Sequence, residues 1–207
     1  MSASLEYHRA TDVSAGGTDE DEQRLIGDRP PPFKDYGDAE RLPLEASVAG
    51  PLLQAGAGIV RSQERRDYGG EATMRWRAYS SAGGLSPVEA YVAKRDGLYS
   101  FDALTPGFVR VEDGDARAVV AAAAGADAET FLVLTGLHSR TGWKYLERGY
   151  RHVWWDAGTM LANLLALAAA RGLEPRLYTA FADGELNDLL GVDGLGEYAL
   201  ALVGLAS

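Results

Sequence analysis

The chain has 207 residues, close to the usual size of one domain, and 46% of them are hydrophobic while 24% are charged. This composition predicts a packed globular protein and argues against a disordered chain. Acidic residues outnumber basic ones 30 to 20, and the resulting net charge of −10 argues against non-specific binding to nucleic acid or to an anionic membrane. The absence of cysteine excludes disulfides, thiol nucleophiles and cysteine-ligated metals, and three histidines leave little basis for a metal site.

The longest apolar stretch, residues 153–170, is interrupted by Asp156 and Asn163. No basic start followed by an apolar run and a cleavage site is present at the N-terminus, so nothing there indicates a signal sequence. We therefore expect a soluble, cytoplasmic protein with no membrane and no nucleic acid among its partners.

Residues 1–45 form the first predicted unit. They hold eleven of the 30 acidic residues, a run of three prolines and few large aliphatic residues, so they cannot build a core of their own. Their apolar residues are spaced as isolated anchors: Tyr7, Leu25, Ile26, Phe33, Tyr36 and Leu42. We predict an arm that docks onto a partner subunit, with a disordered tail as the alternative.

Residues 46–207 form the second predicted unit, and its first half alternates short elements with turns. The pattern predicts a helix over 46–59, extended chain over 73–79 and a glycine-rich loop over 80–84. Strands over 88–94, 97–102 and 108–112 are separated by turn residues, as in a meander. A short helix over 115–124 and a buried strand over 131–135 follow.

The second half is dominated by one long helical segment, residues 143–172. Gly149 separates its first turn from the main helix, which is apolar on nearly every face between residues 157 and 170 and is therefore predicted to be buried on all sides. Gly172 ends it. A strand over 175–181, a helix over 183–190 and a strand over 197–205 complete the chain. This order predicts an α+β fold with a mixed sheet packed against a long central helix.

Two segments carry groups suited to chemistry. The loop at 80–84 has backbone amides that a flat or anionic ligand can approach, although an ordinary glycine turn has the same sequence pattern. Lys144 and Tyr145 are flanked by Trp143 and Arg148, and burial with nearby positive charge would lower their proton affinity and suit them to proton abstraction. By itself, an amphipathic helix start explains the same residues.

Several motifs in one order together resemble the SagB-type dehydrogenases of the nitroreductase superfamily, as a short member. They are Phe33-Lys34-Asp35-Tyr36 in the arm, the segment from Arg77 through Gly84 to Tyr91, the segment from Trp143 to Arg151, and Leu190-Gly191-Val192-Asp193 with Glu197. The resemblance implies a nitroreductase-like fold that forms an intertwined dimer, with both subunits contributing to each cofactor site.

The resemblance also implies a function: FMN-dependent oxidation of peptide thiazolines or oxazolines to azoles. Lys144 and Tyr145 would be catalytic. Ser80, Ser81, Gly83 and Gly84 would lie against the flavin ring, and Ala180 and Phe181 would bring a backbone amide near its reactive nitrogen. The implied partners are an azoline-containing precursor peptide, a second copy of the chain or a related flavin subunit, and a cyclodehydratase complex.

The chain departs from that family at Ala180, where the family often has glycine, and more importantly in one arginine segment. An Arg-Arg-Ser-x-Arg motif that would clamp the FMN phosphate is missing after Leu44, and Arg61 and Arg65 are the candidate substitutes. This departure supports a second hypothesis, a non-catalytic subunit that pairs with a flavin-bearing oxidase or presents the peptide to a modification complex. A flavoenzyme that reduces nitro compounds or quinones is the third.

Overall fold

The structure is a computed structural model that describes residues 2–12, 29–67 and 70–206; the predicted anchors Leu25 and Ile26 lie outside these residues. The helices are α1 (Ala3–Ala10), α2 (Ala49–Ala57), α3 (Ala116–Ala124), α4 (His138–Tyr145), α5 (Gly149–Ala170) and α6 (Asp183–Leu190). The strands are β1 (Arg41–Leu42), β2 (Ile59–Asp67), β3 (Gly70–Arg77), β4 (Val88–Lys94), β5 (Gly97–Asp102), β6 (Gly107–Asp113), β7 (Thr130–Leu137), β8 (Glu174–Tyr178) and β9 (Glu197–Ala206).

Seven of these strands form one sheet in the order β1-β6-β5-β4-β7-β9-β8. Every strand pair in the described part of this sheet is antiparallel. The predicted meander is confirmed as β4, β5 and β6, which are hydrogen-bonded neighbours joined by short turns. Strands β2 and β3 pair only with each other in the described chain and form a separate two-stranded ribbon.

Helices cover both faces of the sheet. Alternate residues of a strand point to opposite faces, and in β4 Val92 joins a buried cluster with Leu52 of α2 and Leu164 of α5, while Tyr91 joins a second cluster with Val120 of α3 and Leu186 of α6. The α+β class and the long helix packed on the sheet are thereby confirmed.

The long helix α5 leaves one face open in the single chain. Met160 and Leu164 face the sheet and are 0% and 1% exposed, whereas Ala162 and Ala166 within the predicted stretch are exposed, like Trp154 and Trp155 before it at 42% and 50%. The prediction of burial on all sides is therefore wrong for the chain alone, because the sheet and α2 cover the helix from one side only. The helical stretch His138–Ala170 has the length and apolar composition of a membrane span, properties that core helices share.

The described parts of the arm contact the body of the same chain. Phe33 is 5% exposed within the first buried cluster, and the Tyr7 hydroxyl donates to the Glu147 carbonyl oxygen over 2.9 Å. Helix α1 was not predicted. Docking of residues 1–45 onto a partner subunit stays a prediction.

Candidate functional site: a pocket between the glycine loop and helix α4

A cavity of about 340 Å³ lies between the ribbon, the glycine loop (residues 80–84) and α4. It brings together five of the residues that the sequence singled out. Three cationic and two tryptophan side chains border it, which gives an acidic chain a local site suited to a planar or anionic ligand. The lining residues are Arg29, Arg65, Met74, Trp76, Ser81, Gly83, Gly84, Leu85, Trp143 and Lys144.

The backbone of the glycine loop forms one wall of this pocket. Gly83 and Gly84 have φ angles of +61° and +65°, a region that favours glycine. A Cβ atom at Gly83 would lie 2.9 Å from the Tyr145 hydroxyl and 3.4 Å from Lys144 Nζ. The two predicted catalytic side chains therefore converge on a stretch of bare backbone.

Polar side chains of α5 hold the loop in place. Asp156, which is 4% exposed, accepts hydrogen bonds from Ser81 Oγ at 2.6 Å and from the Ala82 amide at 3.2 Å. Thr159 donates to the Ser80 carbonyl oxygen at 2.7 Å, and Asn163 Nδ2 donates to the Ala78 carbonyl oxygen at 3.2 Å. Burial raises the pKa of Asp156, while its bonds from Ser81 and Ala82 act in the opposite direction.

A buried ion cluster fixes α4 against the end of this loop. Arg140 Nη1 donates to Glu89 Oε1 and to the Ser86 carbonyl oxygen, both at 2.7 Å, and Arg77 Nη2 lies 2.9 Å from Glu89 Oε2. Burial opposes ionisation of Glu89, but Arg77 and then Arg140 outweigh it and lower the pKa of this carboxyl. Because Lys144 follows Arg140 by one helical turn, the cluster sets the position of the lysine.

Tyr145 is the last residue of α4, and its protonation differs from the sequence-based expectation. Burial, followed by the charge of Asp156, raises the pKa of its phenol. The expectation of a lowered proton affinity is wrong for this side chain, because burial disfavours the phenolate and the charge that acts on it is a carboxylate. Tyr145 is therefore a hydroxyl donor at neutral pH.

The two candidate phosphate clamps lie on one face of the ribbon, since Arg65 follows Arg61 by four positions and alternate strand residues share a face. Arg65 borders the pocket. Arg61 does not border the pocket; its guanidinium carbon lies 4.5 Å from the ring centroid of Trp76, a cation–π contact with a residue of the pocket wall.

Ala180 and Phe181 lie apart from the pocket within the chain. They follow β8, which ends at Tyr178 and not at residue 181 as predicted, and Phe181 packs against the second buried cluster. Neither residue borders the pocket.

The sequence reasoning missed several residues of the site, namely Arg29, Met74, Trp76, Thr159 and the part of α4 before Trp143. Of these, Trp76 had a usable signal: in the extended chain predicted over 73–79 it lies two residues from Met74, and residues two apart share one face of a strand.

The family assignment rests on a comparison with known protein families. Residues 41–206 match the model of the nitroreductase family. The chain belongs to the nitroreductase family. Among curated proteins this nitroreductase is similar to MJ1384 of Methanocaldococcus jannaschii, named as a nitroreductase, with 29% identity over 147 residues that cover 66% of this chain and 73% of that protein.

Solved structures agree with this fold. A nitroreductase-type crystal structure from Anabaena variabilis is 27% identical with a TM-score of 0.85, and the match covers 97% of this nitroreductase but only 45% of that chain. The match thus spans less than half of that relative's length. The E. coli microcin synthetase McbBCD complex with truncated pro-MccB17 bound has a TM-score of 0.64 at 19% identity, covering 100% of this chain and 83% of that one.

The expected cofactor is supported by the family match and by a further structural neighbour. A nitroreductase-type protein from Exiguobacterium sibiricum, solved in complex with FMN, is 10% identical with a TM-score of 0.53 and covers 95% of this chain and 90% of that one. At 10% identity, this similarity shows a shared fold and nothing more.

Proposed function

We propose that this nitroreductase-family chain is a cytoplasmic, FMN-dependent oxidoreductase that converts thiazolines or oxazolines of a precursor peptide into azoles. Family membership supports an oxidoreductase, and a neighbour named as part of a peptide-modifying synthetase with its pro-peptide bound supports a peptide substrate. The observation that carries the proposal is the convergence of Lys144 Nζ and the Tyr145 hydroxyl on the bare backbone of Gly83.

The residues around the pocket fit FMN. Gly83 and Gly84 both border the pocket and present backbone without a side chain, which a flat ring can approach closely. Arg65 supplies a charge-assisted donor for a phosphate in a chain of net charge −10, while the bonds of Ser81 and Ala82 to Asp156 keep the loop in place beside it. Arg61 would support Arg65 indirectly through Trp76.

The reaction removes two hydrogens from the azoline ring. FMN, when bound, accepts a hydride with its electron pair. Lys144 Nζ takes the remaining proton from the ring α-carbon, and the Tyr145 hydroxyl, whose pKa is raised by burial, donates a hydrogen bond that orients the substrate. Asp156 and Arg140 hold the two walls of the pocket at a constant separation.

A second subunit completes the proposed site. Ala180 and Phe181 do not border the pocket of their own chain, and the open face of α5 carries Trp155 and Ala162. Phe181 packs with α3 and α6 on the sheet face opposite α5, so its contribution to the pocket of a second chain stays a prediction from the family resemblance. The partner is a second copy or a related flavin subunit, and a cyclodehydratase complex would supply the azoline peptide.

The test begins with the purified chain. We expect it to be yellow, with flavin near equimolar, and to oxidise an azoline peptide. Lys144→Ala should retain flavin and lose at least about 100-fold in kcat, the low end of the contribution of a general base. Lys94→Ala is the matched control. Lys94 is the last residue of β4, forms an ion pair with Asp96 and does not border the pocket. Equal turnover in the Lys144 and Lys94 variants would exclude the proposed base.

The flavin content of the same purified chain also distinguishes the proposed enzyme from a non-catalytic subunit. The missing arginine segment favours that alternative. A colourless chain that acquires flavin only together with a partner subunit would establish it and contradict the proposal of a self-sufficient enzyme.

A further inference from the structure

His152 of α5 lies against Tyr145. The two ring centroids are 4.2 Å apart, and the ring planes are inclined by 32°. The Trp155 ring meets the His152 ring edge-on with centroids 5.0 Å apart, and the guanidinium carbon of Arg148 lies 5.6 Å from the Trp155 ring. Such offset and edge-on arrangements are the preferred geometries of aromatic pairs.

The backbone explains why these residues meet. Arg148, His152 and Trp155 are spaced by four and three residues and so share one face of the helix. Helix α4 ends at Tyr145, and Leu146 has a φ angle of +51°, which reverses the chain direction. The reversal lays Tyr145 over the first turns of α5.

Both stacked rings are uncharged at neutral pH. Burial, followed by the charge of Arg148, lowers the pKa of His152 below its ordinary value of 6.5. Burial and Asp156 raise the pKa of Tyr145. Three charged groups face the pair. Arg148 is the N-cap residue of α5 and Asp156 lies within that helix. Lys144 belongs to α4, and its Nζ lies 5.4 Å from the centroid of the Tyr145 ring.

The orientation of the Tyr145 ring decides where its hydroxyl lies. The Cα–Cβ and Cβ–ring torsions leave an unstacked tyrosine several rotamers, and the rotamer in this structure places the hydroxyl beside Gly83 and Lys144. We infer that His152 is a positioning residue, which holds the Tyr145 ring in that rotamer by stacking. This inference rests on the proposed role of the Lys144 and Tyr145 pair.

A kinetic comparison tests the role of the ring. His152→Ala should lower kcat by about two- to ten-fold, the effect of one aromatic pair, with KM and bound flavin little changed. His152→Phe keeps a planar ring and should restore turnover. His8→Ala, which removes an exposed histidine on α1, is the control. Wild-type kcat in His152→Ala, or equal losses in the Ala and Phe variants, would overturn the inference.

An NMR measurement tests the stack without any substrate. The chain has three histidines, so that single substitutions assign their ring signals. We expect the His152 ring protons to be shifted upfield by Tyr145 and to titrate below pH 6.5. Tyr145→Leu should move them downfield while His8 stays unchanged. Signals that do not respond would refute the stack, whereas an inactive wild-type protein with a normal response would refute only the proposed function.

Discussion

Gly83 lies where the glycine loop passes closest to Lys144 and Tyr145, and its backbone conformation and its neighbours both require glycine. Its φ angle of +61° is unfavourable for other residues, and a Cβ atom would lie 2.9 Å from the Tyr145 hydroxyl. At the residue scale, the proposed site therefore depends on the absence of a side chain at one position as much as on the side chains beside it.

A comparison of Gly83→Ala with Gly125→Ala separates the effect of the left-handed backbone from the effect of the neighbouring side chains. Gly125 has a φ angle of +56° at the end of α3, and a Cβ atom there would have no other atom within 4 Å. Gly125→Ala should lose about 1 kcal/mol of unfolding free energy in urea titrations because it places alanine in left-handed backbone, and Gly83→Ala should lose more because its Cβ also meets the Tyr145 hydroxyl. Only Gly83→Ala should also weaken flavin binding. A normal flavin content in Gly83→Ala would contradict the placement of the ring against this loop.

The ribbon and α4 are the elements that the sequence predicts least well. Strands β4 and β5 are predicted to the residue, because turn residues at Asp96 and Gly97 separate two clear strand patterns. Strand β2 was missed since its run from Arg61 to Asp67 has no apolar alternation and is held by pairing with β3. The start of α4 was missed as well, because it is polar and is stabilised by the distant contacts of Arg140.

The same reasoning applies to the candidate site at this scale. Ser81, Gly83, Gly84 and Lys144 could be predicted from motifs, and the structure brings them to one pocket. The separation of Ala180 and Phe181 from that pocket depends on how strands are ordered across the sheet, which no local pattern determines.

Alternation along β2 provides a test of the phosphate clamp. Arg65 borders the pocket, and Arg66 points to the opposite face of the ribbon. If Arg65 holds the FMN phosphate, Arg65→Ala should weaken FMN binding by about ten-fold or more, the value of a charge-assisted hydrogen bond. Arg66→Ala removes the same charge and should change the Kd by less than about two-fold, because a charge on the far face is screened by solvent. If fluorescence titration gives equal changes in the Kd for FMN in the two variants, the effect is one of general charge, and the assignment of Arg65 as the phosphate clamp is contradicted.

At the scale of the whole molecule, the open face of α5 is the feature that a single chain does not explain. Trp154 and Trp155 are about half exposed, and Ala162 lies on the same helix with its side chain exposed. An apolar face of this kind on a protein of this charge indicates a partner surface. The proposed flavin site also needs residues from two chains.

Ala162→Arg should therefore shift the purified protein from twice the chain mass to the mass of one chain in sedimentation or light-scattering experiments, because a buried, unpaired arginine is costly at an interface. Flavin should be lost with the dimer. Ala122→Arg on the exposed side of α3 is the control and should leave the mass unchanged. A wild-type protein that sediments as a single chain while holding flavin would contradict the two-chain site.

The central claim is that this nitroreductase-family chain passes hydrogen from a peptide azoline to a bound flavin. The most direct measurement mixes the flavin-loaded protein with an azoline peptide in the absence of oxygen and follows the absorbance of oxidised flavin. We predict bleaching, together with an azole product lighter by two hydrogens, and a much slower decay in Lys144→Ala. Flavin that stays oxidised with the peptide but is bleached by NAD(P)H would contradict the claim and favour reduction of nitro compounds or quinones.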